Sequence, residues 1–340
     1  MKKASFFLFF LFCHLLFTQN VDGIENFILA SDEDRKVLTK QYFEPLFNSM
    51  QISMGEGWVK SAKPHKKLGF DLTFLVSAIN IPSYARQYNT DGLSSIDSSY
   101  DSSPTIFGSD TEGNYLVDFY PDGSDYSLST SFAIPAGHED LLKMDRLLLP
   151  NLQFSVGIPL KTELVVRFMP KTQSKGAEIK SFGLGIKHSL SQYFNSSKVT
   201  PFNLSALLTA SRLEGAYDFG ANSQLAGENQ SIDLQVYNAS SGLIASLDFK
   251  IMSIYCSISQ VISKSSFKIN GSYSLVYESS FSEIDGVEYV LSDPVSIENN
   301  LNFLRKNFGV GFNFPFVNLF LDYSIQDYNS INLGVSIGAR

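Results

Sequence analysis

The sequence predicts an all-β protein: an antiparallel transmembrane β-barrel of about twelve strands, within a range of 10–14, preceded by a short N-terminal helical segment. Three observations lead there. Between Leu68 and Gly338 at least nine stretches alternate apolar and polar residues, the period-two signature of a strand with two unlike faces. The bulk lies on the apolar phase. Leu164, Val166 and Phe168 alternate with Glu163 and Arg167; Phe182, Leu184 and Ile186 with Ser181, Gly183, Gly185 and Lys187; Ile331, Leu333, Val335 and Ile337 with Asn332, Gly334, Ser336 and Gly338. A soluble sandwich fills its enclosed face with large side chains. Small and charged residues on the enclosed phase suit a barrel that meets lipid outside and water within. After residue 20, no run reaches the roughly 18 apolar residues of a membrane helix, so a membrane-embedded chain of this kind has to be a closed barrel.

The elements follow in order. Lys2 and Lys3 before the apolar run Phe6–Phe17 read as a signal peptide over residues 1–20, which marks the chain for export. Cys13 lies in that run and leaves with it, so Cys256 is the one remaining cysteine and a disulfide framework is excluded. Residues 21–66 form the segment before the barrel. Val37, Leu38, Tyr42 and Leu46 recur at helical spacing over 32–48, with Ser31 or Asp32 as N-cap, and Pro45 is expected to kink or end the helix. The segment lacks the basic face of a membrane-surface helix, which favours a plug in the lumen or a dock beneath it.

The barrel occupies 67–340. Its first strand, Leu68 to Ile79, carries Phe70, Leu72, Phe74 and Val76 on one face and Asp71, Thr73 and Ser77 on the other. Residues 80–150, rich in Ser, Asp, Gly and Pro, read as a long outer loop with weak strands at 115–120 and 128–134, and 279–303 as a second. The other strands fall at 152–158, 161–169, 178–190, 203–212, 229–237, 242–251, 253–260, 266–277, 306–314, 318–326 and 330–338, and Pro159-Leu160 marks a tight turn. An even count places both chain ends in the periplasm.

Charge narrows the function. Lys and Arg number 26 against 34 Asp and Glu, a formal charge of −8, and loss of Lys2 and Lys3 with the signal takes it to −10. An acidic chain without a basic stripe is a poor partner for nucleic acid. Charges on the wet phase are the candidate lumen residues: Asp71, Glu163, Arg167, Lys187, Asp233, Asp248, Lys250, Lys268 and Asp322. Their mixed signs argue against a strongly ion-selective pore and suit either a water-filled lumen or one packed with ion pairs. Gly334-Val335-Ser336-Ile337-Gly338 matches the nucleophile pattern of esterases but lies inside an alternating strand, not on a strand-to-helix turn. His188 beside Ser189 and Ser191 leaves a barrel-wall lipid hydrolase as a minor alternative. No spacing implies a metal or other cofactor.

Several stretches carry a resemblance. These are Gly55-Glu56-Gly57-Trp58, Ala62-Lys63-Pro64-His65-Lys66 and Gly69-Phe70-Asp71, followed by Pro104 to Gly108, Gln153 to Pro159, and Phe182-Gly183-Leu184-Gly185-Ile186-Lys187-His188. Together they resemble a family of uncharacterised outer-membrane β-barrel proteins from Bacteroidota. The motif positions are Trp58, His65, Lys66, Gly69, Asp71, Gly183, Gly185, Lys187 and His188. The resemblance implies a fold, a place in the outer membrane of a Gram-negative bacterium, and contact with outer-membrane lipids and the barrel-assembly machinery. It implies no activity. A segment ahead of strand one also looks loosely like the fatty-acid-transport barrels, whose N-terminus plugs the pore. That likeness is one of architecture alone. The expectation is a channel or transporter for small molecules, hydrophobic ones among them, against a structural or surface-interaction barrel with a filled lumen.

Overall fold

The computed structural model of the chain describes residues 23–98, 101–109, 111–121, 123–139, 142, 145–174, 177–194, 201–219, 223, 225–280 and 286–339; the expected signal peptide lies outside them. A 3-10 helix, Ile24–Leu29, leads into α1, Asp32–Gly55. Sixteen strands follow: β1 (Phe70–Asn80), β2 (Gln87–Asn89), β3 (Ile96–Ser98), β4 (Ser102–Pro104), β5 (Asn114–Phe119), β6 (Leu128–Ala133), β7 (Arg146–Ile158), β8 (Thr162–Ser174), β9 (Ala177–Ser189), β10 (Phe202–Asp218), β11 (Ala226–Asp248), β12 (Met252–Ser279), β13 (Val287–Ser292), β14 (Val295–Asn313), β15 (Val317–Ile325) and β16 (Ser330–Ala339).

Ten of them close a ring. The order runs β1, β7, β8, β9, β10, β11, β12, β14, β15, β16 and back to β1, every pair antiparallel. Leu72 sits opposite Ile337 on one side and Phe154 on the other, so the apolar phase of β1 meets that of both neighbours. The expected twelve strands become ten because 229–237 and 242–251 belong to the single strand β11, and 253–260 and 266–277 to the single strand β12.

The cause lies in β12. Its odd-numbered residues face inward along its length, while the polarity of the two faces exchanges partway. From Ile254 to Ile262 the outward residues are mainly Ile, and the inward ones are Tyr255, Ser257, Ser259 and Val261. From Lys264 upward the outward positions are Lys264, Ser266 and Lys268, and the inward ones Phe267, Ile269, Tyr273 and Leu275. Strand β14 inverts at the same level: Ser296, Glu298, Asn300 and Asn302 face out above Leu304, Phe308 and Phe312, with Lys306 a charge on that lower outward phase. The lower zone is a lipid-type barrel, and the upper zone is a soluble-type wall around an apolar core. The breaks expected near 238–241 and 261–265 fall at the exchange, where the apolar phase passes from one face to the other. The run from Ile254 to Ile262 spans about 27 Å along the strand, or about 20 Å along the barrel axis at a tilt of ~40°.

One rim carries tight turns. At 159–161 the left-handed Leu160 (φ 63) and Lys161 (φ 47) join β7 to β8, and 249–251 and 314–316 make two more. The opposite rim is uneven, because β12 has 28 residues and β15 nine. Much of the expected second loop is strand, since β13 and the start of β14 occupy it. Within the expected first loop, β3, β5 and β6 form a sheet that joins the tip of β12 through Glu278 opposite Ser129, and β2 pairs with β4. These strands cover the 3-10 helix and the first half of α1, with Phe27 set edge-on against Tyr42 (5.5 Å) and Phe132 (6.2 Å). The result is a head on the loop rim.

The helix α1 begins where expected. Ser31 caps it, its side chain accepting from the Asp34 N–H, with Asp32, Glu33 and Asp34 in the first turn where the helix dipole favours acids. Pro45 does not end it. The Ser49 hydroxyl donates to the Pro45 carbonyl at 2.7 Å, and the helix continues to Gly55. Every residue from Ser49 to Gly55 is buried, so no 3.6-residue polarity rhythm marks that half in the sequence. Among the described residues no helix is long and apolar enough to cross a membrane, which says nothing of a barrel.

Candidate functional site

The lower lumen is occupied by the chain itself. Residues 56–66 run from the end of α1 to the turn rim, where the Leu68 N–H donates to the Gly157 carbonyl and β1 begins. Glu56 leads. Its carboxylate accepts from Ser324 (2.7 Å), Gln326 (2.7 Å) and Asn332 (2.6 Å), and Arg305 lies 3.9 Å away while also donating to the Gly55 carbonyl. Gly57 is left-handed (φ +68), and a Cβ there would meet Leu75 at 2.9 Å. Trp58 comes next. Its indole N–H donates to the Met54 carbonyl, its ring lies against Gly183 and Gly185, and a Cβ on either glycine would come within 3.0 Å of it. The Arg167 guanidinium lies over the ring at 3.9 Å from the centroid, and donates to the Glu56 carbonyl (2.6 Å) and to Gln153 (3.0 Å).

A second network sits below. The Lys60 ammonium donates to both Asp71 oxygens (2.7 and 2.9 Å) and to the Thr73 hydroxyl (2.8 Å), while His65 Nε2 lies 2.7 Å from Asp71. Lys187 pairs with Glu163 at 3.0 Å and donates to the Ser61 carbonyl, and Glu163 accepts from the His65 N–H. Ser61 donates to Asp248, and Ala62 is held by Ser246 and Ser205. Val59 and Ala62 join Val165, Leu207, Ile244 and Tyr255 in a buried apolar cluster. Residues on strands all around the ring thus grip the segment. An isolated ion at such depth costs several kcal/mol, so the pairing is what makes these charges tolerable.

Of the expected lumen residues, Asp71, Glu163, Arg167, Lys187 and Asp322 are buried on the inner wall. Asp248 lies half-buried at the turn rim and Lys250 is exposed in the turn. Asp233 and Lys268 are corrections. Both are exposed on the outer face of the upper wall, where Asp233 accepts from Asn270 and the inward neighbours are Ile232, Leu234, Phe267 and Ile269. Their phase was read correctly as wet, but above the exchange level the wet face is the outer one. Among the motif positions, Gly69 lies at the turn rim with Lys66, and its N–H donates to the Lys66 carbonyl. His188 sits on the same rim, its ring nitrogens 2.7 Å from Thr162 Oγ1 and 2.9 Å from the Tyr193 hydroxyl, and it pairs with neither Ser189 nor Ser191. Reading from sequence missed Glu56, Lys60 and Arg305. Lys60 had a signal: it stands in a polar stretch just ahead of a strand bearing an inward Asp.

Among the cavities at the level of the head, two border α1. One of about 150 Å3 lies between Phe43, Leu46 and Met50 of α1 and the wall residues Leu149, Ile179 and Leu234, and its surface is almost wholly apolar. The other, about 360 Å3, lies across α1 among Gln41, Glu44, Tyr84, Tyr88, Asp327 and Tyr328, with polar and apolar surface in equal parts. Burial pushes the Tyr328 hydroxyl up to about 12, and burial followed by the Asp327 carboxylate raises that of Tyr84, so both phenols stay neutral.

A ten-stranded antiparallel barrel, crossed by its own N-terminal segment and crowned by a head, is the class this geometry defines. A model for a family of unknown function, DUF6588, matches residues 1–339, and the chain belongs to that family. No curated protein matches the sequence. Similar solved structures are barrels: the translocator domain of the autotransporter NalP from Neisseria meningitidis (11% identity, 89% of this chain and 97% of that one, TM-score 0.34), the attachment invasion locus protein Ail of Yersinia pestis (9%, 80% and 99%, 0.25) and a Pseudomonas aeruginosa FadL homologue (13%, 80% and 89%, 0.21). At such TM-scores the likeness carries no argument about this chain.

Proposed function

We propose that this protein is an outer-membrane barrel, sealed at rest by its own N-terminal segment, that anchors a small-molecule-binding head at the cell surface. The lipid-type zone takes the membrane, the tight-turn rim faces the periplasm and the loop rim faces outward, as in bacterial barrels generally. The observation that carries the reading is the passage of residues 56–66 down the lumen, gripped from all sides by buried side chains. An open channel needs water where Trp58, Arg167 and Lys60 stand. The test is a planar bilayer. Full-length protein is expected to leave the membrane electrically silent, and a steady ohmic conductance from it overturns the reading.

A second reading, handling of a small hydrophobic molecule, is favoured by the apolar cavity beside Met50. A dry cavity of that size accommodates a benzene-sized group. Displacement of a small apolar fluorophore from detergent-folded protein, abolished by Leu149→Trp, is the expected result; unchanged fluorescence in the wild type removes it.

A further inference from the structure

We infer that the cavity between α1 and the β15–β16 turn binds a small organic cation with a bulky, choline-like ammonium. The inference rests on the surface-binding reading and names a ligand class for one of the two cavities that border α1.

Four observations carry it. The cavity measures about 360 Å3, within the usual range of small-molecule sites. Two carboxylates line it, Glu44 on α1 and Asp327 in the turn; neither is paired with a cation among the described residues, and no Lys, Arg or His side chain lines the space. Three tyrosines share it. Tyr328 is almost fully buried and within electrostatic reach of both carboxylates, Tyr88 is fixed by the hydroxyl of Tyr115 at 3.0 Å, and Tyr84 stands exposed at the mouth. Finally, the Oε1 atom of Gln41 is buried at the cavity without a hydrogen-bond partner among the described residues.

The chemistry selects among guests. Two unpaired carboxylates around one cavity repel anions and draw a positive charge. Phenol faces attract weakly hydrated cations best, which favours a substituted ammonium over a bare metal ion. A metal would also seek a cluster of ligating side chains, and no group of three or more His, Cys, Asp or Glu is gathered among the described residues. Gln41 Oε1 supplies an acceptor for a hydroxyl or N–H at the far end of the guest. A neutral sugar would use the rings and amides but leave the two charges without a partner.

The test uses full-length protein folded in a polyoxyethylene detergent, which carries neither sugar nor ammonium, at constant ionic strength so that diffuse screening is the same in every sample. Choline chloride is titrated by calorimetry beside its neutral isostere 3,3-dimethyl-1-butanol and glucose. Choline is expected to bind at least tenfold more tightly than either. Glu44→Gln and Asp327→Asn are each expected to weaken choline about five- to tenfold with no change in thermal midpoint, and Tyr84→Ala, at the exposed mouth, to weaken it without touching the charges. A lipid source is separated from a free one by offering choline as the headgroup of a short-chain phosphocholine lipid: equal or tighter binding of the lipid assigns the site to a headgroup, weaker binding to a free cation. Glucose or the isostere binding as well as choline, or choline binding unaltered by both carboxamide variants, overturns the inference. The bilayer recording on the same preparation judges the sealed-barrel reading separately, because a silent membrane without choline binding defeats the cation site alone.

Discussion

The guanidinium of Arg167, on the barrel wall, lies 3.9 Å above the indole of Trp58, in the segment that crosses the lumen. Both are buried, and each is fixed a second time: Trp58 by the Met54 carbonyl and the flat Gly183–Gly185 floor, Arg167 by Gln153 and the Glu56 carbonyl. The stack therefore joins the wall, the crossing segment and the end of α1. If it is the main clasp of the seal, Trp58→Ala lowers stability by about 3–5 kcal/mol, the usual loss for removing a buried large aromatic. It also turns a silent bilayer into one with flickering conductance as the segment leaves its seat. Recordings as quiet as those of the wild type, at a lowered thermal midpoint, would assign Trp58 to stability alone.

The exchange of polarity along β12 makes a prediction about depth. Ile258 faces outward within the lower apolar zone, opposite the outward Lys306 of β14, and Lys268 faces outward above it. Ile258→Arg is expected to cost about 2–4 kcal/mol of folding into lipid vesicles, as charge at a bilayer midplane does. Lys268→Ala stays within about 0.5 kcal/mol, as a surface change away from caps and cores does. Urea titration of vesicle-folded protein measures both. Equal tolerance of the two changes would mean that lipid does not end between Ile262 and Lys264.

The lower network makes another. Lys60 and Asp71 are buried against each other, so removing one leaves the other buried with too few partners. Lys60→Met is expected to cost about 3–5 kcal/mol, and the pair of changes Lys60→Met with Asp71→Leu distinctly less, since an apolar pair of similar volume often replaces a buried ion pair at little loss. Equilibrium unfolding of the two single variants and the double variant completes the cycle. Strict additivity would show that the two side chains do not depend on each other.

How far the sequence could be read depended on whether one rule held along a whole element. In β16, and in β8 from Leu164 to Phe168 and β9 from Phe182 to Ile186, the lipid-facing phase is apolar, and alternation located both strand and face. In β11 and β12 the same alternation continues while its meaning reverses, so each was split in two, and Asp233 and Lys268 were assigned to the lumen. The helix was legible up to Leu46, where its faces differ, and illegible from Ser49, where all faces are buried. Arg305 escaped because the strand was begun one residue after it. Glu56 and Lys60 lie in no regular element, and their partners come from strands far apart in sequence, Ser324 and Asn332 for one, Asp71 for the other. Periodicity carries no information about such pairings.

The crossing segment also changes where the chain ends lie. An even number of strands returns the chain to the rim on which β1 begins, and Ala339 does lie opposite Phe70 at the turn rim. The passage of residues 56–66 adds one more traverse. The described chain therefore starts at the other rim: the Leu29 carbonyl accepts from the Tyr277 hydroxyl at 3.0 Å, and the Ser31 N–H donates to Ser95 in the head. With the loop rim outward, a tag placed ahead of Gly23, after the expected signal, is predicted to react with antibody on intact cells, while a tag after Ala339 reacts only once the outer membrane is opened. Heat-modifiable gel mobility of both tagged proteins confirms that each is folded before the comparison is made. Both tags hidden on intact cells would place the two ends in the periplasm, and would mean that residues 56–66 do not traverse the lumen in the membrane.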